Sequence, residues 1–124
     1  MSGQDSVNRI REAARKTVEL IAHMDACMKD VENELVEMGL GLEETVADGG
    51  VSLSFQKSRG AWSICVVTDT VHSVWKDASR ELKLAAFGLL PRLMIALEFK
   101  ANRMLGEYQE VVTRTCNSIK FEKK

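Results

Sequence analysis

Apolar residues recur at alternating three- and four-residue intervals over the first 38 residues of the chain. This is the a and d spacing of a heptad repeat, and it predicts a long helix over about residues 3–38. Gly39 follows as a C-terminal stop signal. The predicted apolar seam, in which Thr17 is the polar member, consists of Val7, Ile10, Ala14, Thr17, Ile21, Met24, Met28, Val31, Leu35 and Met38.

The predicted helix is too long for a compact molecule of this size. A helix of about 36 residues spans ~54 Å, whereas a compact chain of 124 residues fills a sphere about 35 Å across. A second seam, from Leu90 to Val111, lies on a shorter predicted helix that reaches only ~40 Å. We therefore expect roughly two turns of the first seam to stay uncovered within one chain. A homodimer would cover them.

The middle of the chain changes to the two-residue period of half-buried strands. Every second residue is apolar from Val51 to Phe55, and again from Trp62 to Val66. These runs predict a β-hairpin over about residues 51–68. Its loop is expected at residues 57–60. One hairpin is marginal alone and leaves a strand edge unpaired, so we expect it to lie against a helix or to join a partner's hairpin in a four-stranded sheet.

Residues 40–50 are predicted to form a connector that ends in the turn Asp48-Gly49-Gly50. After the hairpin, helical spacing returns and predicts a helix over about residues 70–89, capped by Thr68, Asp69 or Thr70.

A further helix is predicted over about residues 91–118. Its apolar stripe is displaced by about one residue, or ~100° of helix rotation, from the preceding one. Pro91 therefore either kinks one helix or begins a new one. The expected fold is a single α+β domain, mostly helical, over residues 1–124, in which the two outer helices pack antiparallel.

Composition adds the class of protein. Hydrophobic residues make up 45% and charged residues 28% of the chain, and the net charge is −1. These values are ordinary for an ordered globular domain and carry no bias toward nucleic acid. The chain lacks an apolar run of membrane-spanning length and a signal-peptide pattern near Met1. Three widely spaced cysteines, Cys27, Cys65 and Cys116, fit free thiols in a reducing compartment. We expect a cytoplasmic protein.

The candidate chemistry is weak. Glu19, His23 and Cys27 share one helix face and are all possible zinc ligands, but three ligands rising ~12 Å along a helix cannot converge on one ion. His72, near Asp69, has no identifiable acid partner. Catalytic and phosphate-binding motifs are missing from the sequence. We therefore expect no enzyme activity, no cofactor, no structural metal and no intrachain disulfide.

The sequence offers two candidate binding sites in addition to the seam. Lys57 and Arg59 lie at the predicted hairpin tip, where a basic loop can contact nucleic acid or an acidic partner. Phe55, Trp62 and Trp75 are candidates to line an apolar pocket between hairpin and helices.

The favoured function is a small protein-interaction or adaptor protein that acts as a homo-oligomer, with itself and another protein as partners. The alternatives are a ligand-sensing or regulatory module using the pocket, and a nucleic-acid-associated protein using the tip. Nucleic acid is the less favoured partner, and no membrane partner is expected.

Overall fold

A computed structural model describes the backbone of residues 3–122 and the side chains of residues 3–119. Its mostly helical α+β architecture agrees with the prediction. The helices and strands, in chain order, are α1 (Gly3–Met38), β1 (Glu44–Asp48), β2 (Val51–Ser58), β3 (Ala61–Val67), β4 (His72–Val74), α2 (Arg80–Phe87) and α3 (Leu90–Glu122). The long first helix is confirmed, and it ends at Gly39, whose φ is 61°.

The four strands form one antiparallel sheet in the order β1-β2-β3-β4. The predicted hairpin is present as β2 and β3, but its four-residue loop was wrong. Lys57 and Ser58 belong to β2, and the turn is Arg59-Gly60, with φ of 53° and 83°. Two consecutive positive φ values are the mark of a tight turn that matches the twist of the flanking strands. The four-stranded sheet is thus formed within one chain.

The connector predicted at residues 40–50 was wrong in its second half, which forms strand β1. This strand pairs with β2 through the turn at Gly49 and Gly50. Val46 is the one apolar side chain that β1 turns toward the helices, between Glu44 and Asp48. An edge strand that packs on one face only can form with a single buried apolar side chain, because its other side chains face solvent. Its composition therefore resembles that of a polar loop.

The helix predicted over residues 70–89 begins about ten residues later. Thr68 does cap backbone amides, but those of a turn: its Oγ1 accepts hydrogen bonds from the N–H groups of Thr70 and Val71, at 3.3 and 3.1 Å. The chain then forms β4 and a 3-10 turn, Trp75–Asp77. The side chain of Ser79 caps α2 by accepting from the Leu82 N–H at 3.2 Å.

Pro91 separates two helices. It occupies the first turn of α3, where its missing N–H costs nothing. The Leu89 N–H donates to the Ala86 carbonyl at 2.9 Å, which closes α2, and the Leu93 N–H donates to the Leu89 carbonyl at 3.0 Å, which opens α3. Helix α3 continues to Glu122, a turn beyond the predicted end.

One face of the sheet packs on the helices and makes the core. The sheet contributes Leu53, Phe55, Ile64 and Val66. The helices contribute Met24, Met28, Ala86, Leu90, Leu93 and Leu97, and the turns before and after α2 contribute Trp75 and Leu89. The other face carries small and polar side chains such as Ser52, Ser54 and Cys65. Cys65 is buried there as a free thiol.

The outer helices do not cover each other along their seams. The end of α1 lies near the first half of α3, where Leu35 and Met38 share a cleft with Met94 and Leu97. Residues 3–20 of α1 and residues 105–119 of α3 are exposed throughout. We call these two segments the α1 arm and the α3 arm, and the remainder of the described chain the body.

Candidate interaction site

The body divides the predicted seam of α1 into three parts. Met24 and Met28 are buried in the core. Ile21, Val31 and Leu35 are half-buried against it. Val7, Ile10 and Met38 are exposed. The uncovered part is longer than predicted, because the α1 arm alone amounts to about five turns.

The α1 arm has one apolar side and one charged side. Ile10 is 68% exposed, and Val18 and Leu20 extend the apolar side beyond the a and d positions. On the charged side, Arg15 forms ion pairs with Glu12 and with Glu19, both within the arm. Such surface pairs contribute little to stability. They lie on the charged side of the helix, and the apolar side carries no member of these pairs. The arm therefore presents an uncharged strip to whatever covers it.

The α3 arm carries a matching apolar strip. Its exposed apolar side chains recur at helical spacing and are Leu105, Tyr108, Val111, Val112 and Ile119. The ion pair described along this arm, between Arg114 and Glu110 at 3.9 Å, again stays within one helix. The free Cys116 is exposed in the same segment.

The arms give the chain more surface than a compact monomer has. Its accessible surface is 9029 Å², whereas a compact monomer of 124 residues exposes about 6,600 Å². The difference, about 2,400 Å², is comparable with the area that each subunit buries in a large obligate homodimer.

An apolar cleft of about 280 Å³ lies where the end of α1 meets α3. Leu35, Leu42, Phe55 and Leu97 line it, and Glu98 is the charged residue among its lining residues. Of the three aromatic residues predicted for a pocket, Phe55 is therefore in this cleft. Trp62 stacks on Phe55 with ring centroids 5.3 Å apart, so it supports the wall of the cleft.

Trp75 lies elsewhere, in a cluster that the sequence analysis missed. The Asp25 carboxylate accepts hydrogen bonds from Trp75 Nε1 at 2.9 Å and from Lys83 Nζ at 3.0 Å. Lys83 is buried and lies 5.7 Å from the centroid of the Trp75 ring. Burial alone would raise the pKa of Asp25, but the hydrogen bonds from Lys83 and Trp75 and the charge of Lys83 outweigh it, so this pKa is lowered.

This cluster ties α1 to α2 across a polar cleft of about 550 Å³, which Trp62 also lines. A signal for it exists in the sequence. Lys83 stands three residues before the buried Ala86, on the side of α2 that faces the core, and Asp25 flanks the seam of α1. No sequence rule would pair two residues 58 positions apart.

The basic hairpin tip is a small feature. Lys57 and Arg59 are both exposed, and Arg59 occupies the first position of the tight turn. Both side chains lie at the end of the β2–β3 hairpin. Within residues 3–119, no ion pair is described for either of them.

The metal and catalytic candidates do not come together. Across the described residues, no group of three or more histidine, cysteine or acidic side chains is close enough to hold a metal ion. Glu19 accepts from Arg15 at 2.6 Å, His23 is exposed, and Cys27 is a half-buried free thiol. His72 lies in β4, where its Nε2 is 3.1 Å from Gln56 Nε2.

No family model, curated protein or solved structure matches the chain. Within the part of the chain that the structure describes, none of the helices combines the length and apolarity that a membrane crossing requires.

Proposed function

We propose that this chain is a small cytoplasmic protein-interaction or adaptor protein that works as a homo-oligomer, without catalysis. The observation that carries the proposal is the pair of arms, whose apolar strips are exposed although their spacing is that of helices packed together. The surplus of surface relative to a compact monomer supports the same conclusion. A partner chain that covered both arms would bury this surplus surface.

A second copy is the partner that the α1 arm fits best. Two α1 arms placed antiparallel about Ala14 would set Val7 beside the other copy's Ile21 and Ile10 beside its Val18. The small side chain of Ala14 would let the helices approach closely at the centre. A two-fold arrangement of this kind is closed and self-complementary, as most homodimers are. The ion pairs of Arg15 would stay on the outer side.

Sedimentation velocity at micromolar concentration tests this proposal. We expect the wild type to sediment as a dimer or a larger oligomer, and Ile10→Glu to shift it toward the monomer while its thermal transition stays within a few degrees. The matched control is Leu84→Glu, because Leu84 of α2 is similarly exposed, at 66%, but lies outside both arms. A monomeric wild type with full helicity would refute the proposal.

The second candidate function is a ligand-sensing module, and the apolar cleft beside Phe55 is the observation that favours it. Its volume of about 280 Å³ is just below the range of about 300–1,000 Å³ for small-molecule sites, so a ligand would have to be small. Native mass spectrometry of the protein purified from its host distinguishes the two. A co-purifying small molecule that Met94→Trp displaces would favour the module, because Met94 lines the cleft and is 36% exposed.

A further inference from the structure

The two edges of the sheet are different in how their backbone groups are satisfied. At the β4 side, the Ile64 N–H has no strand residue opposite it because β4 ends at Val74, and the Glu32 carboxylate accepts its hydrogen bond at 2.8 Å. The Ser73 hydroxyl donates to the carbonyl of Val74 at 2.9 Å. The Glu32 carboxylate of α1 and the Ser73 hydroxyl therefore each satisfy one backbone group on this side of the sheet.

The β1 edge is open. In a hairpin with a two-residue turn, the residues that flank the turn face each other with hydrogen bonds and their neighbours face outward. Asp48 and Val51 flank the turn of β1 and β2, so Thr45 and Ala47 direct their N–H and carbonyl groups away from the sheet. The Thr45 N–H confirms this direction, because it donates to the Glu44 carboxylate at 3.1 Å and not to β2.

An apolar groove of about 440 Å³ runs beside this open edge. Val46 forms one wall, and Ile95 and Phe99 of α3 form the other. Ile95 and Phe99 are 66% and 69% exposed, although they lie on the body and not on the arms. A strand added to β1 would place alternate side chains in this groove, over Ile95 and Phe99.

We propose that β1 and this groove bind an extended segment of a partner protein by strand addition. The segment carries large apolar residues at alternate positions and a lysine or arginine near each end. Backbone hydrogen bonds to Thr45 and Ala47 supply its pairing, and contacts with Ile95 and Phe99 select its apolar side chains. The Glu44 carboxylate, which is bonded to the Thr45 N–H in the free protein, is released when the segment pairs.

Charge selects this occupant over a second copy of the chain. Glu43, Glu44 and Asp48 flank or belong to β1. Of these, Glu44 lines the groove, together with Arg92. Lys100 donates to the backbone carbonyl of Glu43 at 2.5 Å, which leaves the Glu44 and Asp48 carboxylates to set the charge along β1. If two β1 strands paired antiparallel about Val46, each Glu44 would lie opposite an Asp48, and like charges directly opposite are destabilising. Basic ends on the incoming segment remove this repulsion.

The test uses a synthetic peptide, acetyl-Lys-Thr-Val-Thr-Val-Thr-Lys-amide, whose lysines and valines share one face of an extended strand. It is titrated into the ¹⁵N-labelled full chain and followed by NMR. We expect saturable shift changes at Thr45, Ala47, Ile95 and Phe99, and at least tenfold slower hydrogen exchange at the Thr45 and Ala47 amides. The same peptide N-methylated at alternate residues keeps its charge and apolar surface but cannot pair. It should bind at least tenfold more weakly.

Two variants separate the edge from the groove. Ala47→Pro removes an outward N–H at a position where an edge strand tolerates proline, and Ile95→Glu places a charge in the groove. Each should weaken peptide binding at least tenfold while the folded spectrum is kept, and Leu84→Glu should not. The proposal is overturned by the absence of saturable binding at millimolar peptide, by equal binding of the N-methylated peptide, or by shift changes confined to the arms.

Discussion

The two halves of α1 have the same apolar spacing and opposite environments. Between residues 21 and 35 the seam lies under the sheet and α2, and Met28 is 1% exposed. Between residues 7 and 17 the same spacing faces outward. The difference arises from what is beside the helix, because the sheet is shorter than α1 and covers only its second half. A heptad pattern therefore predicts a helix with an apolar side, but not whether that side is core or interface.

The largest effect that distinguishes the halves is expected for Met28→Glu. Burying a charge without a partner costs several kcal/mol, a large part of the stability of a small domain. We expect the variant to lose its cooperative thermal transition in circular dichroism. Ile10→Glu should keep that transition. A Met28→Glu protein that melts within a few degrees of the wild type would place Met28 outside the core.

A pair of leucines in α3 sharpens the same comparison. Leu93 is fully buried in the body, whereas Leu105 is exposed in the α3 arm. Leu93→Ala should lower the free energy of unfolding by about 2–5 kcal/mol, because it leaves a cavity. Leu105→Ala should change it by less than about 0.5 kcal/mol when the protein is dilute enough to be monomeric. Urea denaturation of both variants measures the difference, and equal losses would contradict the division into body and arm.

Asp25→Asn tests the polar tie between α1 and α2. The substitution leaves buried Lys83 without its carboxylate and should lower the free energy of unfolding by about 1–2 kcal/mol. This is the lower part of the range of about 1–3 kcal/mol for a buried polar group that loses its partner, because the Asp25 side chain is 40% exposed. The folded-state pKa of Asp25 is lowered, so its contribution is complete above the unfolded value of about 3.9. It is lost as the pH falls through the folded value.

Urea midpoints measured between about pH 5 and pH 2 should therefore fall more steeply for the wild type than for Asp25→Asn, because the contribution of this carboxylate is lost below about pH 3.9. Parallel pH profiles would show that this carboxylate is not coupled to folding.

The smallest effect is expected at the hairpin tip. Lys57→Glu combined with Arg59→Glu should change the free energy of unfolding by less than about 0.5 kcal/mol, because exposed charges contribute little. If the tip contacts nucleic acid, fluorescence polarisation with a labelled 20-base-pair duplex should show weaker binding and a flatter dependence on salt. Affinity that is the same in both proteins removes the tip as a binding site.

Strong periodicity made the long helix, the hairpin and the last helix predictable from sequence. Strands β1 and β4 were missed because each is short and at an edge, so tertiary pairing and not composition decides their state. The start of α2 was missed for a related reason. Thr68 has the chemistry of a cap, but a cap residue binds the amides of a turn as readily as those of a helix.

The binding surfaces were predictable only in part. The seam was visible, but the boundary between core and arm at about residue 21 depends on where the sheet ends. The groove beside β1 depends on a strand that the composition hides. Its wall residue Phe99 is not one of the heptad residues that predict the seam of α3, which are Leu90, Met94, Leu97, Ala101, Met104, Tyr108 and Val111. Phe55, Trp62 and Trp75, which were predicted to line one pocket, do not meet at one site. Phe55 lines the cleft between α1 and α3, whereas Trp75 packs against Phe87 of α2.

The arms also couple helix content to concentration. Each arm continues a helix whose packed part has already met the cost of nucleation, so the arm forms or frays one residue at a time from its tip. Helix propensity and pairs within the arm, such as Arg15 with Glu19, support the α1 arm. Association would bind only the state in which the arm is fully helical, and would therefore increase the population of that state. On dilution, the ellipticity at 222 nm should then decline while the melting of the body stays in place, so that the length of the helix itself reports assembly.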